Sequence, residues 1–380
     1  MVINCSYFYL TKKYFNEFSL IISKMKINKL ICISIILITL TSCSNSNDDD
    51  QDEIQSIVDI EKPDHLITTP SGYKVSSLLM SSVEYSNWKS EDHFSDGTYR
   101  EALIKDIYNQ FSDKYDFIML VLNEEEIPEG INYYGKNIGV SNNVSGIGGG
   151  IYDYTSNYGS SGKLKSVMQL SSLGFLQNGP ALHELLHNWA NYALPTENVN
   201  ETGSNLVSFS YYGHWGFTGG STRGQLGGFK QSTLEDLGNN QYAVEPFGAF
   251  ANGGNSVPYN ELELYLMGMI PINSVSQFDL FNDITAFEIN NNKYTFTANR
   301  LSYGPNELES LLGARSPNSL NSQKEFDLLL IVLSNEQLTN DQWETINDAA
   351  EWFSFKGVDQ ISSYNFWEAT NGIGSINIEN

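Results

Sequence analysis

The segment that most restricts how this chain can fold is His183-Glu-Leu-Leu-His187, an H-E-x-x-H pattern. On an α-helix, residues four apart lie on one face, so His183 and His187 can direct both imidazoles at one metal ion. Glu184 lies one step round the helix, where its carboxylate can accept a proton from a metal-bound water. The pattern therefore predicts a helix over 180–194, ended by Pro195, that carries a zinc site with Glu184 as general base.

A catalytic zinc ion needs three protein ligands and one open position, so a third ligand must come from elsewhere in the chain. The candidates for this ligand are His214, Glu201, Glu261 and Glu263. His214 is preferred, because the glycines that flank it permit a tight backbone that could present the imidazole. The two remaining histidines, His65 and His93, fall outside any ligand spacing and are expected to be structural or exposed.

The N-terminus has the pattern of an export signal. Lys26 and Lys29 precede an apolar run over 30–40, which is too short to span a bilayer as a permanent helix. The run is followed by Leu-Thr-Ser-Cys43, which resembles the lipobox of bacterial lipoproteins. The resemblance implies cleavage before Cys43, a leader over 1–43 and a lipid anchor on this cysteine. Met25 would be the natural start of such a leader.

Composition excludes two classes of function. Only Cys43 of the three cysteines, Cys5, Cys32 and Cys43, would remain after processing, so neither a disulfide nor a cysteine nucleophile is expected. The formal net charge of −24 makes nucleic acid an improbable partner, because an acidic protein repels phosphates. Residues 44–70 carry a run of Asp and Glu near their start and predict a flexible acidic tether. Such a run resembles the surface-export signal of some Gram-negative lipoproteins, which implies an outer-membrane location.

Periodicity gives a coarse map of the elements on either side of the H-E-x-x-H segment. It predicts a helix between Asp96 and Tyr115. It predicts strands at 115–122, 137–141, 149–154 and 166–170, and a later buried strand at 326–333. The glycine cluster over 146–150 is interpreted as a hairpin turn. The last strand before the metal-binding helix, with residues 167–171, is a candidate edge that could pair with an extended substrate.

This order of a helix, several strands and an H-E-x-x-H helix resembles the upper half of a zincin catalytic domain. The resemblance implies an α+β fold with a mixed twisted sheet and the active-site helix over 71–195. It implies an irregular, mostly helical lower part over 196–380. Ala190 and Ala193 occupy the positions of the glycine and third histidine in the short metzincin pattern, so that short form is excluded. Glu201 as the third ligand would distantly resemble the glutamate segment of gluzincins, whereas His214 would resemble the leishmanolysin-like arrangement with a long insertion. In that arrangement a methionine forms a floor under the metal, a part that Met267 or Met269 could take.

Five later segments resemble a family of secreted bacterial proteins identified as zinc metallopeptidases. These segments are 213–215, 224–229, 263–268, 322–326 and 366–372. The expected function is a lipid-anchored, zinc-dependent endopeptidase that acts on a protein or peptide substrate. A non-catalytic surface lipoprotein with a degenerate zincin fold, binding protein or glycan, is the alternative. A metal-dependent hydrolase for another kind of bond is also compatible with the sequence.

Overall fold

The structure is a computed structural model that describes residues 65–196, 213–290, 292–359 and 361–380. Its α-helices are Ser82–Ser90 (α1), Gly97–Tyr108 (α2), Phe175–Asn178 (α3), Ala181–Leu186 (α4), Glu261–Met267 (α5), Pro305–Leu312 (α6), Asn340–Phe353 (α7) and Phe366–Ala369 (α8). Its strands are Leu66–Thr68 (β1), Ser76–Leu79 (β2), Phe117–Leu122 (β3), Gly135–Gly139 (β4), Ser141–Asn142 (β5), Tyr152–Asp153 (β6), Ser166–Leu170 (β7), Gly219–Gly220 (β8), Phe229–Lys230 (β9), Glu235–Gly238 (β10), Gln241–Val244 (β11), Phe278–Asn290 (β12), Lys293–Tyr303 (β13), Glu325–Ser334 (β14) and Ser375–Ile378 (β15). Within these ranges, no helix is long and apolar enough to cross a membrane.

The main sheet is mixed and has the strand order β1-β2-β14-β3-β7-β4, with β15 also paired to β14. The inner strands β2, β14, β3 and β7 are parallel to one another, whereas β1 and β4 pair antiparallel at the two ends. Strands β3 and β7 are wholly buried, as expected of parallel strands that are covered on both faces. The protein is therefore of the mixed α+β type.

Successive side chains of the inner strands face two separate hydrophobic layers, because strand residues alternate between the faces of a sheet. In β3, Phe117 and Met119 pack in a core with residues of α4, α5 and α7. Ile118 and Leu120 of the same strand pack in a second core with residues of α1 and α2. The H-E-x-x-H segment that begins in α4 thus lies on one face of the sheet, anchored by the larger core.

The C-terminal half differs from the predicted mostly helical lower part. Strands β10, β11, β13 and β12 form a separate antiparallel sheet over an aromatic cluster that includes Phe217, Phe281 and Phe296. Strand β14 then enters the main sheet between β2 and β3. A division near residue 195 therefore does not separate two sheets. In the main sheet, β14 from the C-terminal half lies between two strands of the N-terminal half.

Several sequence-based predictions are confirmed and others need correction. Strand β7 and the buried strand β14 lie where the pattern predicted them, and the glycine cluster joins the antiparallel strands β5 and β6. The helix predicted over 180–194 is much shorter, because α4 ends at Leu186 and the chain continues in turns. The predicted tether ends too late, since β1 already pairs with β2. Cys43, the leader and Glu201 lie outside the described residues.

Candidate metal centre

Helix α4 is held rigidly by side chains that follow it in sequence by more than seventy residues. The buried Asn255 accepts a hydrogen bond from Leu182 N at 3.1 Å, and its amide nitrogen donates to Leu176 O at 2.8 Å. The Tyr259 hydroxyl donates to Leu182 O at 2.8 Å. His187 caps the helix in right-handed helical backbone, so the four-residue spacing from His183 survives although α4 is short.

A tight loop places His214 beside His183 and His187. Gly213 has φ +80°, and a Cβ built on it would lie 2.5 Å from the backbone of Asn191. A larger residue would therefore be strained and would push the loop away from the end of α4. The glycine before His214 was the sequence signal for this ligand, and the structure gives its physical reason.

The imidazoles of His183, His187 and His214 converge on one point. The Nε2 atom of His183 lies 3.1 Å from Nε2 of His187 and 3.2 Å from Nε2 of His214. One ring nitrogen from each residue falls in a group whose members lie within 4.8 Å of one another. The structure thus brings together the two sequence-predicted helix ligands and the preferred third candidate.

The close Nε2 contacts are not hydrogen bonds between neutral rings. His183 Nδ1 lies 2.8 Å from Gln225 O, and His187 Nδ1 lies 2.6 Å from Asn191 Oδ1. Both partners are acceptors, so Nδ1 carries the proton in each ring and Nε2 keeps a bare lone pair. Facing lone pairs repel one another unless a cation lies between them, and this arrangement is typical of histidine ligands oriented by an outer shell of acceptors.

Burial keeps all three imidazoles neutral. It lowers the pKa of His183 to about 4, against a small upward effect of the Gln225 carbonyl. Burial, followed by repulsion from His183 when that ring is protonated, lowers the pKa of His214 to about 3. Burial, followed by the charges of the other two rings, also takes the pKa of His187 well below its usual value. Neutral imidazole is the form that binds a metal ion, so protons do not compete for this site near neutral pH.

Glu184 lies in the same cleft and is buried. Burial raises its carboxyl pKa to about 8, while the charge of Lys136 and the backbone N–H of Asn137 act in the opposite direction. Glycine is required at position 135, because a Cβ there would lie 2.7 Å from Glu184 Cγ. Glu184 is therefore a confined carboxyl group whose proton affinity lies in the range useful for proton transfer near neutral pH.

The cleft has a volume of about 680 Å³ and is bordered by residues 135–138 of β4 on one side and by the histidines on the other. Ser171 N–H donates to Tyr134 O, and the register continues through Lys136 opposite Gln169. In an antiparallel pair only alternate residues exchange hydrogen bonds. The N–H and C=O groups of Gly135 and Asn137 therefore point away from β7 toward the open edge. No described strand pairs with that edge.

This result corrects the prediction for the strand that precedes the metal-binding helix. Strand β7 lies between β3 and β4, so it is an interior strand and has no free edge. The edge beside the histidines belongs to β4, which comes earlier in sequence. Strand order is a long-range property, and the alternation of residues 166–170 gave no information about it.

Glu263 is the functional residue whose role the sequence did not indicate. Its Oε1 accepts hydrogen bonds from Trp215 Nε1 at 2.9 Å and Leu226 N at 3.0 Å, and its Oε2 accepts one from Asn260 N at 2.9 Å. The carboxylate is completely buried, and burial raises its pKa although these donors oppose the rise. Trp215 follows His214, and Leu226 follows the Gln225 carbonyl that orients His183. Glu263 thus anchors both ends of the loop over 215–226. Both of its oxygens are occupied by N–H donors, so they are not available to a metal ion.

The remaining predicted residues lie away from the histidines. Glu261 accepts a hydrogen bond from Ser276 N, and neither Met267 nor Met269 lines the cleft. Both methionines are buried in the core instead, as ordinary apolar side chains. His65 lies between Asp106 and Glu84, whereas His93 stacks on Tyr99 with ring centroids 3.6 Å apart. These two histidines are structural, as predicted.

No protein-family model matches this chain, and no curated protein or solved structure is significantly similar. The case for function therefore depends on the site itself. Three neutral, converging imidazoles beside a confined carboxyl group and an open strand edge can bind a metal ion, accept a proton and receive an extended chain.

Proposed function

We propose that this protein is a zinc-dependent endopeptidase of zincin type, related in arrangement to the leishmanolysin-like metzincins. The observation that carries the proposal is the convergence of three ring nitrogens, two of them the bare Nε2 atoms of His183 and His187, in a cleft that also holds Glu184. A binding protein would have no need of a carboxyl group confined beside the metal ligands. Hydrolysis gives that group a role, because the attacking water must lose a proton.

The donor set fits zinc. Nitrogens that bind a tetrahedral zinc ion at ~2.0–2.1 Å lie about 3.3 Å apart. The Nε2 separations from His183, 3.1 Å and 3.2 Å, are close to that value. Three imidazoles without a thiolate or a carboxylate ligand are also the set found in catalytic zinc sites that keep one position open.

His183, His187 and His214 would hold the ion, which supplies a Lewis acid that activates water near neutral pH. Glu184 accepts the proton of the attacking water and later returns it to the leaving amine. Asn137 steadies this residue, since its side-chain amide donates to the backbone oxygen of Glu184 at 2.6 Å. Burial excludes bulk water from the carboxyl group, which keeps the proton on the reacting atoms.

The open edge of β4 supports a peptide as the substrate. An extended chain laid along this edge would pair its backbone with the outward N–H and C=O groups of Gly135 and with the C=O group of Asn137, since the Asn137 N–H already faces the Glu184 carboxyl group. Because those contacts use only backbone groups, they suit a polypeptide of varied sequence. The sequence further favours export and a lipid anchor at Cys43, so we place the enzyme in the cell envelope as an outer-membrane lipoprotein.

The first experiment is elemental analysis of the purified protein and of His183→Ala and His214→Ala. We expect close to one zinc ion per chain in the parent and a large loss in both variants. Zinc retained in His214→Ala would assign the third ligand to another residue, such as Glu201. A parent protein that binds no metal would contradict the proposal and favour a non-catalytic surface protein.

Peptide cleavage is measured next on zinc-loaded protein, with Glu184→Gln as the inactive control. Digestion of denatured proteins followed by mass spectrometry identifies cleaved bonds whatever sequence the enzyme prefers. Zinc binding without cleavage of any peptide would favour a metal-dependent hydrolase for another kind of bond.

A further inference from the structure

A second polar cavity, to which Trp189 after α4 contributes, takes no part in the function proposed above. It has a volume of about 200 Å³. Trp189 and Phe326 form part of its wall, and Lys165 and Arg315 are its charged residues. Its lining contains no aspartate or glutamate. In a chain of net charge −24, a cavity whose only charges are positive calls for an explanation.

Arg315 is the central feature of this cavity. Its side chain is buried, with 8% relative exposure, and Nε donates to Leu266 O at 3.0 Å. Its Nη1 donates to Pro317 O and to Ser322 Oγ. Its Nη2 has no acceptor among the described residues and remains in contact with solvent. Carbonyl and hydroxyl groups thus fix the guanidinium in place and leave one nitrogen available.

The charge of Arg315 is not neutralised by the protein. Nowhere in the described part of the chain does a carboxylate oxygen lie within 4.0 Å of the guanidinium, although thirteen other ion pairs are present. Lys324, whose Nζ donates to Gly268 O, adds a further positive charge nearby. Burying an unpaired charge is costly, so such groups are normally matched by a counter-ion.

Lys165 adds a second cation with only a loose partner. Its Nζ lies 3.8 Å from Asp116 Oδ1, beyond hydrogen-bond distance. Asp116 is already bound at close range by Lys163 Nζ at 3.1 Å and by Gln323 Nε2 at 2.9 Å. Lys165 can therefore turn toward an anion in the cavity without leaving Asp116 unpaired.

We propose that this cavity is a binding site for a small oxyanion of the phosphate or sulfate class. Arg315 Nη2 and Lys165 supply the positive charge, and the Asn143 side chain at the rim supplies a neutral donor. A tetrahedral oxyanion has several acceptor oxygens, which suits donors that arrive from different directions. The volume is many times the ~10–15 Å³ that one water molecule needs on the same measure, so a phosphate ion fits.

Thermal unfolding in the presence of inorganic phosphate tests the site, with sodium chloride at equal ionic strength as the reference. An anion that binds the folded state raises the midpoint in proportion to the logarithm of its concentration. We expect phosphate and sulfate to raise it in the parent protein and acetate to have a weaker effect. Equal shifts from chloride and phosphate would reflect ionic strength only and would overturn the proposal.

Lys165→Met and Lys163→Met form a matched pair, because both lysines contact Asp116 but only Lys165 lines the cavity. Isothermal titration should show about tenfold weaker phosphate binding for Lys165→Met and little change for Lys163→Met. Arg315→Lys should also weaken phosphate binding. If Arg315→Lys does not fold, the comparison of Lys165→Met with Lys163→Met still tests the site. Equal affinities for the two methionine variants would contradict the site.

Discussion

The helix side and the loop side of the candidate metal centre place their histidines in different ways. On the helix side, His183 and His187 are set four residues apart by backbone hydrogen bonds, and each ring is oriented by one acceptor. On the loop side, His214 Nδ1 has no hydrogen-bond partner among the described residues, and the position of the ring depends on Trp215 and the distant Glu263. The comparison shows that the spacing of His183 and His187 is local geometry, whereas the position of His214 depends on a long-range carboxylate anchor, which also holds the segment whose Gln225 carbonyl orients His183.

The helix side should also carry the chemistry, which is the strongest contrast between the two. Glu184→Gln removes the proton acceptor but keeps the size of the side chain, so turnover should fall about 10²–10⁴-fold. Zinc content should stay near that of the parent, because Glu184 is not a ligand. Steady-state cleavage of a fluorogenic peptide, with elemental analysis of the same sample, measures both. Full activity in this variant would remove Glu184 from the mechanism.

The loop side should fail as a unit when its anchor is removed. Glu263→Leu leaves three buried N–H groups without an acceptor, so the free energy of unfolding should fall by about 2–5 kcal/mol. Zinc affinity should drop about 10–100-fold, as for other outer-shell changes. Guanidinium unfolding and competition with a chelator measure the two effects, and the absorption spectrum of the Co²⁺ form reports a displaced His214.

Two variants sharpen this prediction. Glu263→Gln keeps one acceptor oxygen but opposes an amide N–H to Asn260 N, so its effects should be intermediate. Glu261→Gln alters the same helix at a site facing Ser276, and it should resemble the parent. Equal losses of zinc affinity in Glu261→Gln and Glu263→Leu would show that Glu263 does not hold the loop in place.

The helix side should tolerate loss of an outer-shell partner better than the loop side does. Asn191→Ala removes the acceptor for His187 Nδ1 but leaves the helical spacing intact, so zinc affinity should fall only about tenfold. Asn178→Ala, an exposed change at the end of α3, is the control. Chelator competition on both variants ranks them against Glu263→Leu. A larger loss from Asn191→Ala than from Glu263→Leu would reverse the comparison.

The smallest expected effect concerns His65, a buried histidine outside the site. Its pKa is raised, whereas the pKa values of the three histidines of the site are lowered. Burial lowers the pKa of His65, but its hydrogen bonds and charge interactions with Glu84 and Asp106 outweigh burial and raise it overall. The stability from these contacts is therefore complete below pH ~6.5 and is lost as the pH rises through the raised pKa. His65→Gln should cost about 1–2 kcal/mol at pH 6 and less at pH 9.

Denaturant unfolding across this pH range checks the prediction. A cost for His65→Gln that is the same at every pH would mean that His65 is not charged in the folded protein.

Local patterns in the sequence were sufficient for the helix side of the site. The H-E-x-x-H spacing identified three of its residues, since helical geometry relates positions that are close in sequence. His214 could be favoured from its glycines but not assigned, because the number of residues between it and His187 says nothing about distance in space. Glu263 was considered as a ligand, and only the structure shows that its oxygens are used by N–H donors.

The same limit applies to the fold. Buried strands such as β3 and β14 were predictable from continuous apolar runs, whereas their adjacency was not, because nothing local specifies which strands pair. The sequence therefore predicted an open edge at β7, whereas the open edge beside the histidines belongs to β4. The length of α4 was overestimated for a related reason, since the apolar residues after His187 are buried by tertiary contacts without being helical.

The position of β14 has a consequence for the order in which the fold is completed. This strand fills the gap between β2 and β3, yet it is made long after the residues of the metal centre. A ribosome must therefore release the chain through residue 334 before the sheet beneath α4 can close, and long-range pairing of this kind is slow. The support beneath α4 is therefore incomplete in any chain that stops short of β14, even when its three histidines and Glu184 are all present.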